Sequence, residues 1–245
     1  MLKLMKYEFR KTMFSKLIVL AAVAVIEGVF LYGYLGDHAQ QAAIGSIALF
    51  LASIFGILYF GIESIITLHK DLNTKQSYML FLTPKTSYQI LGAKLIENAI
   101  TIIAAGLIFA GIFYLDITMM TGKNQDVGQV LELLNEVLRT SMGATINFGV
   151  IASMGVTMLA SWLLFIVTGD LAVILVATVL AGRKFSGLVA VIVFFVLNYI
   201  FERILGLLPS TTSVTDTVIQ VVGTLVISVI VYIGSGWTME RKLSV

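Results

Sequence analysis

HKDLNTKQSYMLFLTPKTSYQILGAK, residues 69–94, separates two long apolar runs, 42–68 and 95–117. Each run is long enough to cross a hydrocarbon core, which takes roughly 20 mostly apolar residues. The interval between them is therefore a connection at a membrane surface. It carries Lys70, Lys75, Lys85 and Lys94. Its middle, Tyr78-Met79-Leu80-Phe81-Leu82, is apolar where a simple connection needs no such patch. Thr83-Pro84 follows, with threonine suited to a helix cap and proline to a first helical position. The pattern predicts a short helix, a turn, and a new helix feeding the next span. Exposed Tyr, Met and Phe on such an element suit docking into a groove of a partner. The plainer alternative is a patch lying on the membrane surface.

Composition sets the class. The chain is 58% hydrophobic and 12% charged, where soluble domains run at about 45–50% apolar and about 25% charged. Mean hydropathy is +0.98. Half the usual charge cannot cover a globular surface, so a polytopic membrane protein is expected. With no cysteine and two histidines in separate loops, His38 and His69, disulfides and thiolate sites are excluded and no metal site is expected.

Six segments qualify as spans: 17–35, 42–68, 95–117, 148–180, 188–208 and 218–237. Thirteen of the 16 Lys and Arg residues fall on one side: Lys3, Lys6, Arg10, Lys11, Lys16, Lys70, Lys75, Lys85, Lys94, Arg183, Lys184, Arg241 and Lys242. Basic residues favour the cytoplasmic face, and an even number of spans puts both termini there. The expected fold is an all-α membrane protein, a single transmembrane domain over 1–245 with six transmembrane helices and both termini cytoplasmic. Residues 69–94 form its cytoplasmic loop and 118–147 an extracellular insert.

The opening MLKLMKYEFRKTMFSK is read as an amphipathic interfacial helix over 1–16 rather than a secretory signal. Leu2, Met5, Phe9 and Met13 recur at helical spacing beside Lys3, Lys6 and Arg10, an arrangement that lies on anionic headgroups. The segment 148–180 is longer than one perpendicular span requires. A tilted helix, a kink at Gly169 and a re-entrant break at 168–170 all remain open. Ala48, Ala52 and Gly56, and Gly106 and Ala110, stand four apart and would permit close helix contact.

No phosphate-binding loop, His-Glu-x-x-His or Gly-x-Ser-x-Gly occurs, so no catalytic residue, metal or cofactor is assigned to the chain. The remaining candidates are charged residues in or near spans, where polar groups mark function. Glu27, Asp170, Glu202 and Arg203 are candidates for a polar substrate path. Glu63 and Glu97 lie within a turn or two of the interface and are read as structural, paired with a lysine such as Lys70 or Lys94. A stand-alone channel or secondary transporter using these carboxylates is the alternative function. An intramembrane enzyme and a structural anchor are further rivals.

Taken together, the chain resembles the transmembrane subunit of an ABC-2 type (type V) ABC transporter. The resemblance rests on the basic amphipathic start 2–12 leading into the first span and on the loop Ser77-Tyr78-Met79-Leu80-Phe81-Leu82-Thr83-Pro84-Lys85-Thr86-Ser87. It rests also on Ile90-Leu91-Gly92-Ala93-Lys94, on six spans with both termini inside, and on the tail after Trp237. The long outer insert departs from the family, where outer re-entrant helices often lie between spans five and six. The resemblance implies a bacterial plasma-membrane exporter of a peptide, antibiotic or lipid-like substrate. It implies separate ABC ATPase subunits carrying ATP and Mg, and a second copy or a paralogous permease subunit. Ser77, Tyr78, Met79, Leu80, Phe81, Leu82, Thr83, Pro84 and Lys85 would couple this chain to the ATPase. No nucleic acid is implied.

Overall fold

The computed structural model describes residues 2–73, 86–121, 132, 136, 148–180, 183, 185–208 and 214–242. Its elements are six long helices: α1 Leu2–Leu35, α2 Ala39–Asn73, α3 Ser87–Thr121, α4 Phe148–Leu180, α5 Ser186–Leu205 and α6 Val214–Lys242. All six are long and apolar enough to cross a membrane, and among the described residues there is no strand. Without water, a spanning backbone must satisfy its own hydrogen bonds, and a helix does so within one segment. At 1.5 Å per residue, the 35 residues of α2 extend about 52 Å, well beyond a ~30 Å core. Hydropathy located the apolar middle of this helix; its ends run further, to Ala39 and Asn73.

One expectation changes and one open alternative is decided. The interfacial helix expected over 1–16 is not a separate element, because α1 runs unbroken from Leu2 to Leu35. On its first turns the inward face is Leu4, Glu8 and Thr12, spaced four apart. Glu8 and Thr12 are buried, while Phe9 and Met13 are exposed. The second concerns the long segment 148–180, which is one continuous helix through Gly169, with no break. The glycine serves contact rather than bending: a Cβ there would collide with the side chain of Ile65 on α2.

The chain divides into two compact units, which several helices enter in turn. Unit 1 comprises Met1–Arg10, Gly61–Ala99 and Gly155–Val245. Its core joins Leu68 and Leu72 of α2, Ile90 and Leu91 of α3, Val173, Ile174, Val176 and Ala177 of α4, Ala190 of α5 and Met239 of α6. Helix α4 contributes more of this core than any other helix. Of its most apolar stretch 61% is buried, against 6% for α5, so the former is covered by protein and the latter presents its apolar surface outward. A second close approach sets Gly61 against the Trp162 ring. There Trp162 Nε1 donates to Asn98 Oδ1 at 3.3 Å. Tyr232 Oη donates to the Tyr88 carbonyl at 2.6 Å, tying α6 to the start of α3.

Unit 2 comprises Lys11–Phe60 and Ile100–Met154. Val23, Phe30 and Leu49 form its core, with Ile26, Leu31, Ala52, Phe109 and Ile112 packed around them. Helices α1 and α2 approach closely at Gly45, where a Cβ would lie 2.7 Å from the Phe30 Cα. Of the small residues expected at packing positions, Gly56 sits against Phe109 and Val19 at 3.3 Å, whereas Gly106 faces open space. The connection between α1 and α2 is tight. Asp37 adopts a left-handed φ of 53°, a conformation aspartate tolerates better than most residues. His38 N–H then donates to the Gly33 carbonyl at 2.8 Å, closing the end of α1 in the manner of a Schellman cap.

Candidate functional site

Two clusters of charge stand out, one in each unit. In unit 1 the Lys94 ammonium lies 2.9 Å from Glu8 Oε2 and 2.8 Å from Asp71 Oδ2. All three side chains are at least 95% buried. Glu8 comes from the second turn of α1, Asp71 from the last turn of α2 and Lys94 from the second turn of α3. An ammonium offers three donors, and here two of its neighbours are carboxylates drawn from separate helices. A buried cation with two buried carboxylates is stable only as a set, because removing one partner leaves an uncompensated charge.

Asp170 lies in the same unit, on α4, and is 4% exposed. The charge acting on it is the Lys94 ammonium. Its Oδ1 and the Thr168 Oγ1 have no hydrogen-bond partner among the described residues. Glu97, one turn beyond Lys94, is buried, and Glu63 is half-buried. Of the two lysines offered as partners for these residues, Lys70 and Lys94, the second holds Glu8 and Asp71.

In unit 2, Glu27 on α1 and Asp116 on α3 bring their carboxyl groups within hydrogen-bonding reach of each other. Asp116 is 5% exposed. Glu27 Oε2 and Asp116 Oδ1 are both buried without a hydrogen-bond partner among the described residues. Asp116 also lines a cavity of about 290 Å³ walled by Phe50, Phe109 and Phe113, with Ser46 and Ser53 from α2. Both serine hydroxyls donate to carbonyls of their own helix, at 2.7 Å each.

Glu202 and Arg203 join neither cluster. Arg203 folds back on its own helix, its Nε donating to Tyr199 Oη at 3.1 Å with the guanidinium 5.1 Å from that ring. Glu202 is exposed. The docking residues Ser77, Tyr78, Met79, Leu80, Phe81, Leu82, Thr83, Pro84 and Lys85 lie outside the described residues.

Reading the sequence missed Glu8, Asp71, Lys94 and Asp116 as site residues. Glu8 is the lone acid in a basic stripe, and Lys94 counts equally well as an orientation charge. Asp71 and Asp116 fall at the ends of apolar runs, where a charge reads as the boundary. One available signal was position: Asp71 and Lys94 lie on the helices before and after residues 74–86. No protein-family model, no curated protein and no solved structure matches the chain.

Proposed function

We propose that this chain is the membrane-spanning permease subunit of an ATP-driven exporter of the ABC-2 type, working with separate ATPase subunits. It lies in a bacterial plasma membrane with both termini cytoplasmic, beside a second copy or a paralogous subunit. It moves a peptide, antibiotic or lipid-like substrate outward. ATP and Mg belong to the partner, consistent with a sequence that carries no phosphate-binding loop. Phe9 and Met13, on the exposed side of the first turns of α1, would rest in the interface there.

The observation that carries this reading is the Lys94–Glu8–Asp71 cluster. It clamps the start of α1 to the two helices that flank residues 74–86. A force applied to that interval by an ATPase would reach three helices through one compact charged joint. A free surface loop has no use for such a clamp. Residues 77–85 are the docking element in this reading, with Phe81 and Leu82 as its apolar anchors.

The test is co-purification with a separate ABC ATPase, sought in an adjacent reading frame, followed by ATP hydrolysis in proteoliposomes. Phe81→Asp and Leu82→Asp are expected to abolish co-purification while leaving the chain folded by thermal melting. Unchanged co-purification and hydrolysis would overturn the coupling assignment. The alternative of a stand-alone transporter draws on the Glu27–Asp116 pair. It requires flux in proteoliposomes holding this chain alone, without ATP.

A further inference from the structure

We propose that the cavity of unit 2 is a binding site for a lipophilic ammonium, a cationic nitrogen attached to an apolar body. The site rests on the exporter reading only in the step from ligand to cargo; binding itself needs no ATPase.

Three observations converge on this chemistry. The first is charge. Two carboxyl groups facing each other inside a low-dielectric helix layer do not both stay charged alone: they share a proton or take up a positive charge, and a cation bound beside them is the second of these. In unit 1 that role falls to Lys94. Lys16 of unit 2 donates from Nζ to Thr101 Oγ1 at 2.8 Å, four turns along α3 from Asp116. Among the described residues neither Glu27 Oε2 nor Asp116 Oδ1 has a hydrogen-bond partner, so a cation bound from outside can take that place.

The second is orientation. Asp116 is 5% exposed and lines the cavity, and its Oδ1 has no hydrogen-bond partner among the described residues. Glu27 stands behind it within hydrogen-bonding reach. A ligand in the cavity would lie against Asp116 and feel both carboxyl groups.

The third is the rest of the wall. Phe50, Phe109 and Phe113 line the same space, with Leu49, Ile112, Ile117 and Met120. Aromatic faces attract cations through the ring quadrupole, and a carboxylate beside aromatic rings suits a substituted ammonium with little need for hydrogen bonds. A small inorganic cation instead demands several oxygen ligands. Ser46 and Ser53 donate to their own helix, and among the described residues no group of three or more His, Cys, Asp or Glu could hold a metal ion. The volume, about 290 Å³, accommodates a compact aromatic or branched body rather than a long peptide.

The experiment uses the purified full-length chain in a neutral detergent, with benzyltrimethylammonium as the probe. Neopentylbenzene, the same shape with carbon in place of the charged nitrogen, is the control. Saturable thermal stabilisation by the cation, and none or much less by the isostere, is expected. Asp116→Asn is expected to weaken cation binding at least about tenfold, about 1.4 kcal/mol, without altering the response to the isostere. Should that variant fail to fold, Glu27→Gln provides the same comparison, and Phe113→Leu tests the aromatic wall. Equal responses to cation and isostere, or cation binding unchanged in both carboxyl variants, would overturn the proposal. Equal stabilisation by sodium chloride alone would overturn it too, assigning a bare-ion site. None of these outcomes depends on whether an ATPase co-purifies, so the exporter reading and the ligand site stand or fall separately.

Discussion

The two units handle buried charge in opposite ways. In unit 1, a lysine sits between two carboxylates from two other helices. In unit 2, two carboxyl groups meet, and among the described residues neither Glu27 Oε2 nor Asp116 Oδ1 has a hydrogen-bond partner. The first arrangement is closed: its charges answer one another and hold helices together. The second is open among the described residues: a cation brought from elsewhere can complete it. Buried ions thus mark two different jobs in one chain, a joint in one unit and a receptor in the other.

The sharpest way to break this contrast is to remove the lysine. Lys94→Met leaves Glu8 and Asp71 buried without their cation, and breaking a buried ion cluster costs about 3–5 kcal/mol. A large fall in melting temperature, with loss of membrane-inserted protein, is expected. Combining it with Glu8→Gln and Asp71→Asn should restore much of the stability, because no lone charge then remains. If Lys94→Met melts like the parent chain, the cluster is not a joint.

Next in size is Gly45→Ala. The added methyl group would meet the backbone of Phe30 at 2.7 Å, which only a shift of helix against helix can relieve. Overpacking of this kind costs about 1–3 kcal/mol. Glu27 lies one turn before Phe30 on the same helix, so ammonium binding should fall together with stability. Retained binding in a destabilised protein would separate the carboxyl pair from the α1–α2 contact. The smallest effect has the opposite sign. Glu27→Gln relieves a like-charge contact, so its stability should equal or slightly exceed that of the parent chain, by up to about 1 kcal/mol, read by thermal melting. A fall as large as that of Lys94→Met would mean that both units use charge structurally.

Much of this architecture was legible in the sequence, because hydropathy over 20 residues is a strong signal and six apolar runs became six helices. The ends were harder to read. Asp71, Lys94 and Asp116 sit inside helices that extend past the apolar runs, and a window average treats such charges as boundaries. Gly169 illustrates another limit: a glycine beside Thr168 and Asp170 reads as a break, but its missing side chain makes room for Ile65. Local sequence does not distinguish the two uses. Glu27 was legible as an anomaly, since no interface lies near it, but its partner is 89 positions away and only the folded chain supplies it. Glu8 was hidden among basic neighbours for the same reason.

The compact turn at Gly36-Asp37-His38 has a consequence for how the protein is made. With the end of α1 closed by its own backbone bond and only a few polar side chains at the tip, α1 and α2 form a helical hairpin with little polar matter to drag through the bilayer. A pair of this kind can leave the ribosome and partition into lipid together, before the later helices have been synthesised. Glu27 would then enter the bilayer ahead of Asp116, its partner on α3. The first hairpin would wait with an unanswered carboxyl group until the third helix arrived, so the receptor half of the molecule is assembled in the order of translation.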